Sequence, residues 1–234
     1  MIRRTRPYLI FGLALCGFAL MGAPGVAAVD SGEGMADNGG IRTPDRTIEW
    51  GVFRDGDKIG EHRIVLRQEN GDLIVDDTID IHVEFAFVTV YRYEHHSNEV
   101  WHEGALLRVT SQTNDDGKKN QLQAQAQPGG ALAVKGSGGD FTAPAGTLPS
   151  SLWRISMTDA NRLLDLQSGE LLSVQFSKKQ SEVIDVAGRK INAEHVTVAG
   201  DLSRDMWYDG DGLLVKQNFL APDGSKIDYR LDAE

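Results

Sequence analysis

Histidines are concentrated in one short stretch of this chain, alongside Glu94, Glu99 and Glu103. Four of the six histidines lie there: His82, His95, His96 and His102. Imidazole and carboxylate groups are common zinc ligands, and a catalytic zinc needs three ligands from the protein. His95 and His96 are adjacent and would point to opposite faces of a strand, so at most one can share a face with another histidine of this group. We therefore expect solvated or backbone-bonded histidines and no cofactor. A metal- or histidine-dependent hydrolase near residues 82–103 remains the enzymatic alternative.

Serines beside glycine or proline raise the question of nucleophilic catalysis. Gly136-Ser137-Gly138-Gly139 and Pro149-Ser150-Ser151 contain serines, but neither has the Gly-x-Ser-x-Gly elbow of serine hydrolases. Ser150 and Ser151 precede apolar residues spaced by three to four, which is typical of helix caps. No catalytic residue is predicted from these segments, and a non-enzymatic protein is favoured.

Acidic turns raise the question of calcium, which binds clustered oxygen atoms in tight loops. The segment Asp209-Gly210-Asp211-Gly212 begins like a calcium loop. The position that should carry a bidentate glutamate, eleven residues after Asp209, is Leu220. The segment therefore predicts an ordinary hairpin turn, and no metal site is expected.

Seven aromatic residues could form the wall of an apolar cleft. They are Phe85, Phe87, Tyr91, Tyr93, Trp101, Trp153 and Trp207. Aromatic walls with a few polar groups are typical of sites for small apolar ligands, and also of ordinary protein cores. The two alternatives differ in exposure, because a ligand site needs an opening beside these rings whereas a core buries them fully.

Alternating apolar and polar residues from Thr47 onward, interrupted by glycine-containing turns, predict antiparallel strands. Glycine accepts the positive φ of tight hairpin turns, and a neighbouring Asp or Asn can bond to nearby backbone N–H groups. Eight such turns are expected, at residues 54–57, 70–72, 102–104, 115–117, 128–130, 187–188, 209–212 and 222–224. They indicate a meander of about nine to eleven strands.

The longest strand candidate, from Leu73 to Tyr93, would extend roughly 70 Å and must therefore bend, bulge or divide. Sheets of many twisted strands curl with their apolar face inside. The predicted fold class is therefore all-β: a single curved antiparallel sheet closing toward a barrel or half-barrel. A short helical segment between Leu148 and Leu166, capped by Ser150 and Ser151, is expected to cover it.

The amino terminus has the order of charged, apolar and small residues that is typical of a secretory signal peptide. Three arginines precede an apolar run over residues 8–21, and small residues follow at 26–28. We predict a signal peptide over 1–28, a disordered lead-in over 29–46 and an antiparallel β domain over 47–234. The protein is thus expected in the periplasm or secreted, by the general or the twin-arginine route. No membrane span is expected after cleavage, because about 14 apolar residues fall short of the roughly 20 that span a bilayer.

Charge and cysteine content exclude several classes of function. The formal charge is −10, and loss of three leader arginines with no acidic residue takes it to −13. Such a surface repels phosphate backbones, so no nucleic-acid partner is expected. Cys16 is the single cysteine and lies in the leader. The mature chain is therefore expected to lack disulfides, thiolate nucleophiles and cysteine metal sites.

Several blocks of sequence occur in a consistent order and together carry a family resemblance. The blocks are Tyr91–His95, Glu99–Leu106, Asn114–Gly117, Leu148–Trp153, Leu164–Gly169 and Gly200–Asp209. The chain resembles, from about Thr47 to Leu231, an exported proteobacterial family catalogued as domain of unknown function 6134. This resemblance implies no activity and transfers no functional residue. The closing pattern from Trp207 to Leu231 is also similar to the terminal hairpins of periplasmic half-barrel proteins that shelter lipids, on architecture alone.

The favoured hypothesis is an exported non-enzymatic β protein. Its partner would be an apolar or amphipathic small molecule, or another protein of the cell envelope. The hydrolase near residues 82–103 and a purely structural envelope protein are the alternatives.

Overall fold

The computed structural model describes residues 45–85 and 88–231. The predicted leader, nearly all of the predicted lead-in and Phe87 lie outside the described residues, as does the side chain of Phe85. The predicted domain boundaries at residues 28 and 46 therefore stay predictions.

The described part of the chain is all-β, with sixteen strands and a single 3-10 turn at Ile155–Asp159. The strands are β1 (Arg46–Arg54), β2 (Asp57–Glu69), β3 (Asp72–Phe85), β4 (Val88–His102), β5 (Ala105–Asp115), β6 (Lys118–Ala126), β7 (Leu132–Gly136), β8 (Phe141–Ala143), β9 (Leu148–Pro149), β10 (Arg162–Leu164), β11 (Leu171–Phe176), β12 (Gln180–Val186), β13 (Arg189–Gly200), β14 (Arg204–Tyr208), β15 (Leu214–Leu220) and β16 (Lys226–Leu231). None of the helices within the described ranges has the length and apolar character needed to cross a membrane.

These strands form one large sheet that is antiparallel except where β9 and β10 pair in parallel. Its order is β8-β7-β6-β5-β4-β3-β2-β1-β16-β15-β14-β13-β11-β10-β9, and β12 pairs with β13 beside this path. The first and last strands in sequence, β1 and β16, are therefore neighbours in the middle of the sheet.

The sheet does not close into a barrel, so the prediction that it closes toward one is wrong. Its path ends in β8 and β9, which have three and two residues. A closed barrel needs edge strands long enough to form a staggered ladder with one another. Strands this short cannot supply one.

All eight glycine-containing turns predicted from the sequence connect neighbouring strands. Asn70 and Gly71 have φ values of 52° and 89°, and Asp116 and Gly117 have 50° and 90°. Two consecutive positive φ values are typical of the type I′ turn, whose twist matches that of the flanking strands.

The predicted strand count was too low, because some connections carry no glycine turn. The long candidate from Leu73 to Tyr93 divides as expected, into β3 and β4, with Phe85 opposite Val88. The sequence signal for this hairpin is weak, since its tip has no glycine. Short strands from β8 to β10 account for most of the remaining difference.

One face of β2 to β5 points into the core and carries a set of buried polar residues among the apolar ones. Strand register places these residues on the same face, because directly opposite residues share a side of the sheet. The buried polar residues of this face are His62, Asp77, His95, Ser97, Glu99, Ser111 and Thr113.

The inner face is covered by residues 147–166, here called the strap. On one side, the Ser111 hydroxyl donates to the Leu166 carbonyl. On the other, the Tyr208 hydroxyl donates to the Leu152 carbonyl at 3.1 Å, and the Leu214 N–H donates to the Trp153 carbonyl at 3.0 Å. The strap therefore connects both halves of the sheet across the core.

The prediction of a helical cover holds only for one short piece of the strap. That piece is the five-residue 3-10 turn. Arg154 is the N-cap of this turn and makes no side-chain capping bond. Ser150 instead accepts a hydrogen bond from the Leu166 N–H at 3.1 Å, so it fastens the two ends of the strap together. The backbone bond from the Ile155 N–H to the Gly212 carbonyl at 2.8 Å joins the start of the 3-10 turn to the connection between β14 and β15.

Candidate functional site

Glu99 is a fully buried carboxylic acid in the middle of the protein. It lies on the inner face of β4, where alternation would place an apolar residue. Its Oε2 atom accepts two indole N–H groups, from Trp101 at 2.8 Å and from Trp153 at 3.1 Å. Trp101 is on the same strand and Trp153 is on the strap, so this oxygen joins the cover to the sheet.

The Arg154 guanidinium lies over both indole rings. Its central carbon is 4.8 Å from the Trp101 ring centroid and 5.0 Å from that of Trp153. The two rings meet edge to face, with centroids 6.2 Å apart. Arg154 Nη2 also donates to the Gly104 carbonyl at 3.4 Å, and the side chain is half-buried. We call Glu99, Trp101, Ser151, Trp153 and Arg154 the indole cluster.

Three polar atoms of the indole cluster are buried and find no hydrogen-bond partner within the described part of the chain: Glu99 Oε1, Ser151 Oγ and Arg154 Nε. A buried polar group without a partner costs about 1–3 kcal/mol, so native proteins contain few of them. Three in one cluster are a local concentration of unused hydrogen-bonding capacity.

Burial raises the pKa of Glu99 to about 7, although the nearby Ser151 hydroxyl and the two indole N–H groups act to lower it. Ser151 lies close enough to affect the carboxyl without forming a hydrogen bond of standard geometry. Burial also lowers the pKa of Arg154, against the attraction of Glu99. Glu99 can therefore exchange a proton near neutral pH.

A second buried polar pair joins β2 to β3. His62 Nε2 lies 2.7 Å from Asp77 Oδ1, and both side chains are almost fully buried. The His62 ring stacks on Trp50 at a centroid distance of 4.8 Å. Burial alone would raise the pKa of Asp77, but the charge and hydrogen bond of His62 hold it below its ordinary value.

His62 is not among the four histidines predicted from the sequence, which all lie between residues 82 and 102. A signal was available, because His62 occupies an inward position of the alternation that continues with Ile64 and Leu66. A polar residue on the apolar face of a strand needs a buried partner. Asp77, fifteen residues later on the next strand, fills that need.

The four predicted histidines do not come together. His95 is buried on the inner face, with Nδ1 2.8 Å from Thr113 Oγ1, and burial lowers its pKa. The other three are exposed: His82 pairs with Asp80, His96 contacts Thr78, and His102 pairs with Asp72. Across residues 45–85 and 88–231, no group of three His, Cys, Asp or Glu side chains is arranged to hold a metal ion.

Among the predicted aromatic residues, Trp101 and Trp153 meet in the indole cluster, and each is only 1% exposed. Tyr93 is buried in the same core, and the half-buried Tyr91 donates its hydroxyl to Asp115 at 2.6 Å. These rings are packed by protein.

Trp207 belongs to a separate small cluster with Ile184, Ala193 and Val215. Its ring stacks on His195 at 4.5 Å, and Lys216 Nζ lies 4.6 Å from its centroid. Trp207 therefore does not share a wall with Trp101 and Trp153.

The acidic segment at residues 209–212 forms the hairpin turn between β14 and β15. Asp209 Oδ1 accepts the backbone N–H groups of Asp211 at 3.0 Å and Leu213 at 2.9 Å. Its other oxygen pairs with Arg46 at 3.4 Å. Asp209 therefore acts as a turn residue that accepts nearby backbone N–H groups.

Comparison with known proteins gives a family and no activity. Among curated proteins, none matches this sequence. The family described as a domain of unknown function (DUF6134) matches residues 50–232, which include nearly every strand of the sheet. The chain therefore belongs to this domain family of unknown function.

Proposed function

We propose that this protein is an exported, non-enzymatic β protein that binds a small amphipathic molecule at the indole cluster. The observation that carries the proposal is the set of three unpartnered polar atoms beside two indole rings. A site for a small amphipathic ligand combines aromatic walls with a few polar groups, and the indole cluster has both. Trp101 and Trp153 are only 1% exposed, so binding would require the strap to move away from the sheet.

The proposed location is the periplasm or the exterior of a proteobacterial cell. It is supported by the order of charged, apolar and small residues over 1–28. A curved open sheet with a covering strap would also fit a half-barrel similar to periplasmic lipid carriers.

The geometry supports the two alternative functions, a hydrolase and a structural envelope protein, less well. A histidine-dependent hydrolase near residues 82–103 would need several histidines close together. His95 instead faces the core, and the outward-facing His82, His96 and His102 are spread along the β3–β4 ladder. A structural envelope protein would suit the burial of Trp101 and Trp153, but would leave the three polar atoms without a purpose.

Native mass spectrometry of the mature protein from a periplasmic extract tests the proposal. We expect a mass excess that disappears on denaturation. Trp153→Phe removes one N–H from Glu99 and should reduce the bound fraction. Trp207→Phe, in the separate small cluster, is the matched control and should retain the ligand. A clean apo mass for the wild-type protein would contradict ligand binding and favour the structural alternative.

A further inference from the structure

The longest strand of the described sheet that pairs on one side only is β12. It pairs with β13, and no strand of residues 45–85 and 88–231 lies along its other side. The two ends of the main path, β8 and β9, have three and two residues, whereas β12 has seven. A strand edge presents a row of backbone N–H and C=O groups, so β12 offers a template on which another strand can pair.

β12 lacks two of the usual protections of an edge strand. Natural edges are often blocked by a proline or a lysine, or are twisted away by a bulge. β12 contains neither residue, and its register with β13 shows no shift. Its two carboxylates are occupied nearby. Glu182 accepts the indole N–H of Trp207, and Asp185 accepts the backbone N–H of Gly188 at 3.0 Å. Val183, between them, is 63% exposed, so an apolar side chain marks the middle of this open edge.

The charges around β12 fit a second copy of the same strand. The whole chain is acidic, with a net charge of −10, but residues 177–190 carry four cationic side chains and two anionic ones. Lys178 and Lys179 precede β12, whereas Asp185 lies near its end. Antiparallel pairing of two identical strands brings the beginning of one beside the end of the other. The lysines of each copy therefore approach Asp185 of the other copy.

We propose that β12 pairs with β12 of a second copy of this chain, antiparallel about a two-fold axis at Val183. In this register Val183 lies opposite its own copy, and Lys179 lies diagonal to Asp185 of the second copy, within reach of a long side chain. Lys179 otherwise contacts Asp159 at 3.4 Å, in an exposed pair of the kind that contributes little to stability. One pair of short strands is small beside the about 1,200–2,000 Å² of stable complexes, so we expect a weak dimer that depends on concentration.

Sedimentation equilibrium of the mature protein tests the proposal, over about 10 μM to about 1 mM to cover weak association. We expect a monomer–dimer equilibrium. Val183→Lys places a charge on the exposed edge and should weaken dimerisation about tenfold or more. Leu220→Lys is the matched control and should dimerise like the wild type, because Leu220 is 71% exposed but belongs to β15, between β14 and β16. Thermal unfolding verifies that each variant is folded.

A cysteine at position 183 tests the register. The single cysteine, Cys16, lies in the predicted leader, so Val183→Cys should give a mature protein with one thiol. Directly opposite residues of antiparallel strands have Cα atoms about 4.5–5.5 Å apart, which a disulfide can bridge. Mild oxidation should therefore give a disulfide-linked dimer of Val183→Cys and only traces of one for Leu220→Cys.

Three results would overturn the proposal. A wild-type protein that stays monomeric over the whole concentration range would leave the edge of β12 to a strand of a different protein. A dimer that Val183→Lys does not weaken, or equal cross-linking of the two cysteine variants, would show that the copies meet elsewhere. None of these measurements involves the indole cluster, so failure of this proposal is distinguishable from failure of the proposed function.

Discussion

The indole nitrogen of Trp153 lies 3.1 Å from Glu99 Oε2, although 54 residues of chain separate the two. The same oxygen accepts the N–H of Trp101. This carboxyl group is therefore one of the links between the strap and the sheet, beside the bonds made by Ser111 and Tyr208. Its protonation state bears on the stability of the whole protein.

Glu99 should make the protein less stable as pH rises. Its folded pKa of about 7 lies above the ordinary value of 4.5. The contribution of the protonated Glu99 carboxyl to the free energy of unfolding is therefore fully present below about pH 4.5 and is lost as pH rises through 7. The difference corresponds to about 3 kcal/mol. Urea unfolding of the wild type and Glu99→Gln between pH 5 and 8 measures it. We expect the variant to lack this part of the pH dependence, and identical profiles would show that Glu99 does not titrate as described.

Removing the Asp77 carboxylate should be strongly destabilising. Asp77→Asn leaves His62 buried without its charged partner, and breaking a buried pair typically costs about 3–5 kcal/mol. Asp80→Asn disrupts the exposed pair with His82 and should cost less than about 1 kcal/mol. Urea unfolding at pH 7 compares the two. Similar losses from both variants would contradict the buried pairing.

His95 should make the protein less stable in acid. Burial lowers its pKa below the ordinary value of 6.5, so the folded protein resists adding a proton that the unfolded chain accepts. The contribution of neutral His95 to the free energy of unfolding is therefore fully present above about pH 6.5. It falls as pH drops toward the folded pKa. His95→Gln should reduce the loss of stability between pH 7 and 5, relative to the wild type over the same interval. His96→Gln, at an exposed position, should follow the wild type, and a His95 variant that does the same would refute the buried neutral imidazole.

A side chain at Gly60 should disrupt the pairing of β2 with β3. A Cβ built at this residue would lie 2.1 Å from the Asp80 carbonyl oxygen, so the backbone must move. Overpacking of this kind costs about 1–3 kcal/mol. At Gly210 the space around a Cβ is open, so Gly210→Ala should have little effect. Differential scanning calorimetry of both variants gives the comparison, and equal melting temperatures would count against the close approach of the strands.

Local signals in the sequence predicted the all-β class and the hairpins. Alternation and glycine turns depend on a few neighbouring residues, and Asn70-Gly71 and Asp116-Gly117 behave as their types require. Closure of the sheet was not predictable in this way, since it depends on the lengths of β8 and β9, the strands at the two ends of the sheet. The path of the strap depends on contacts such as Trp153 with Glu99, which no local pattern encodes.

The candidate site was predictable in part. Trp101 and Trp153 were predicted as aromatic candidates. Glu99, which accepts a hydrogen bond from each of them, was noted only as one of the glutamates near the histidines. A carboxyl at an inward position of β4 was the available signal, because neighbouring inward positions such as Tyr93 and Trp101 are aromatic. That position becomes the centre of the site because it is buried and because Trp153 of the strap bonds to it.

The pairing of β1 with β16 has a consequence for how the chain assembles. Trp50 lies opposite Leu231, whereas most other ladders join strands that are adjacent in sequence. Hairpins form quickly because their ends are close, while contacts between distant segments wait for a large loop to close. The two halves of the sheet should therefore form first as independent meanders and join last along this seam. Until the last residues arrive, β1 presents a bare strand edge, and a chain truncated before β16 should associate through it.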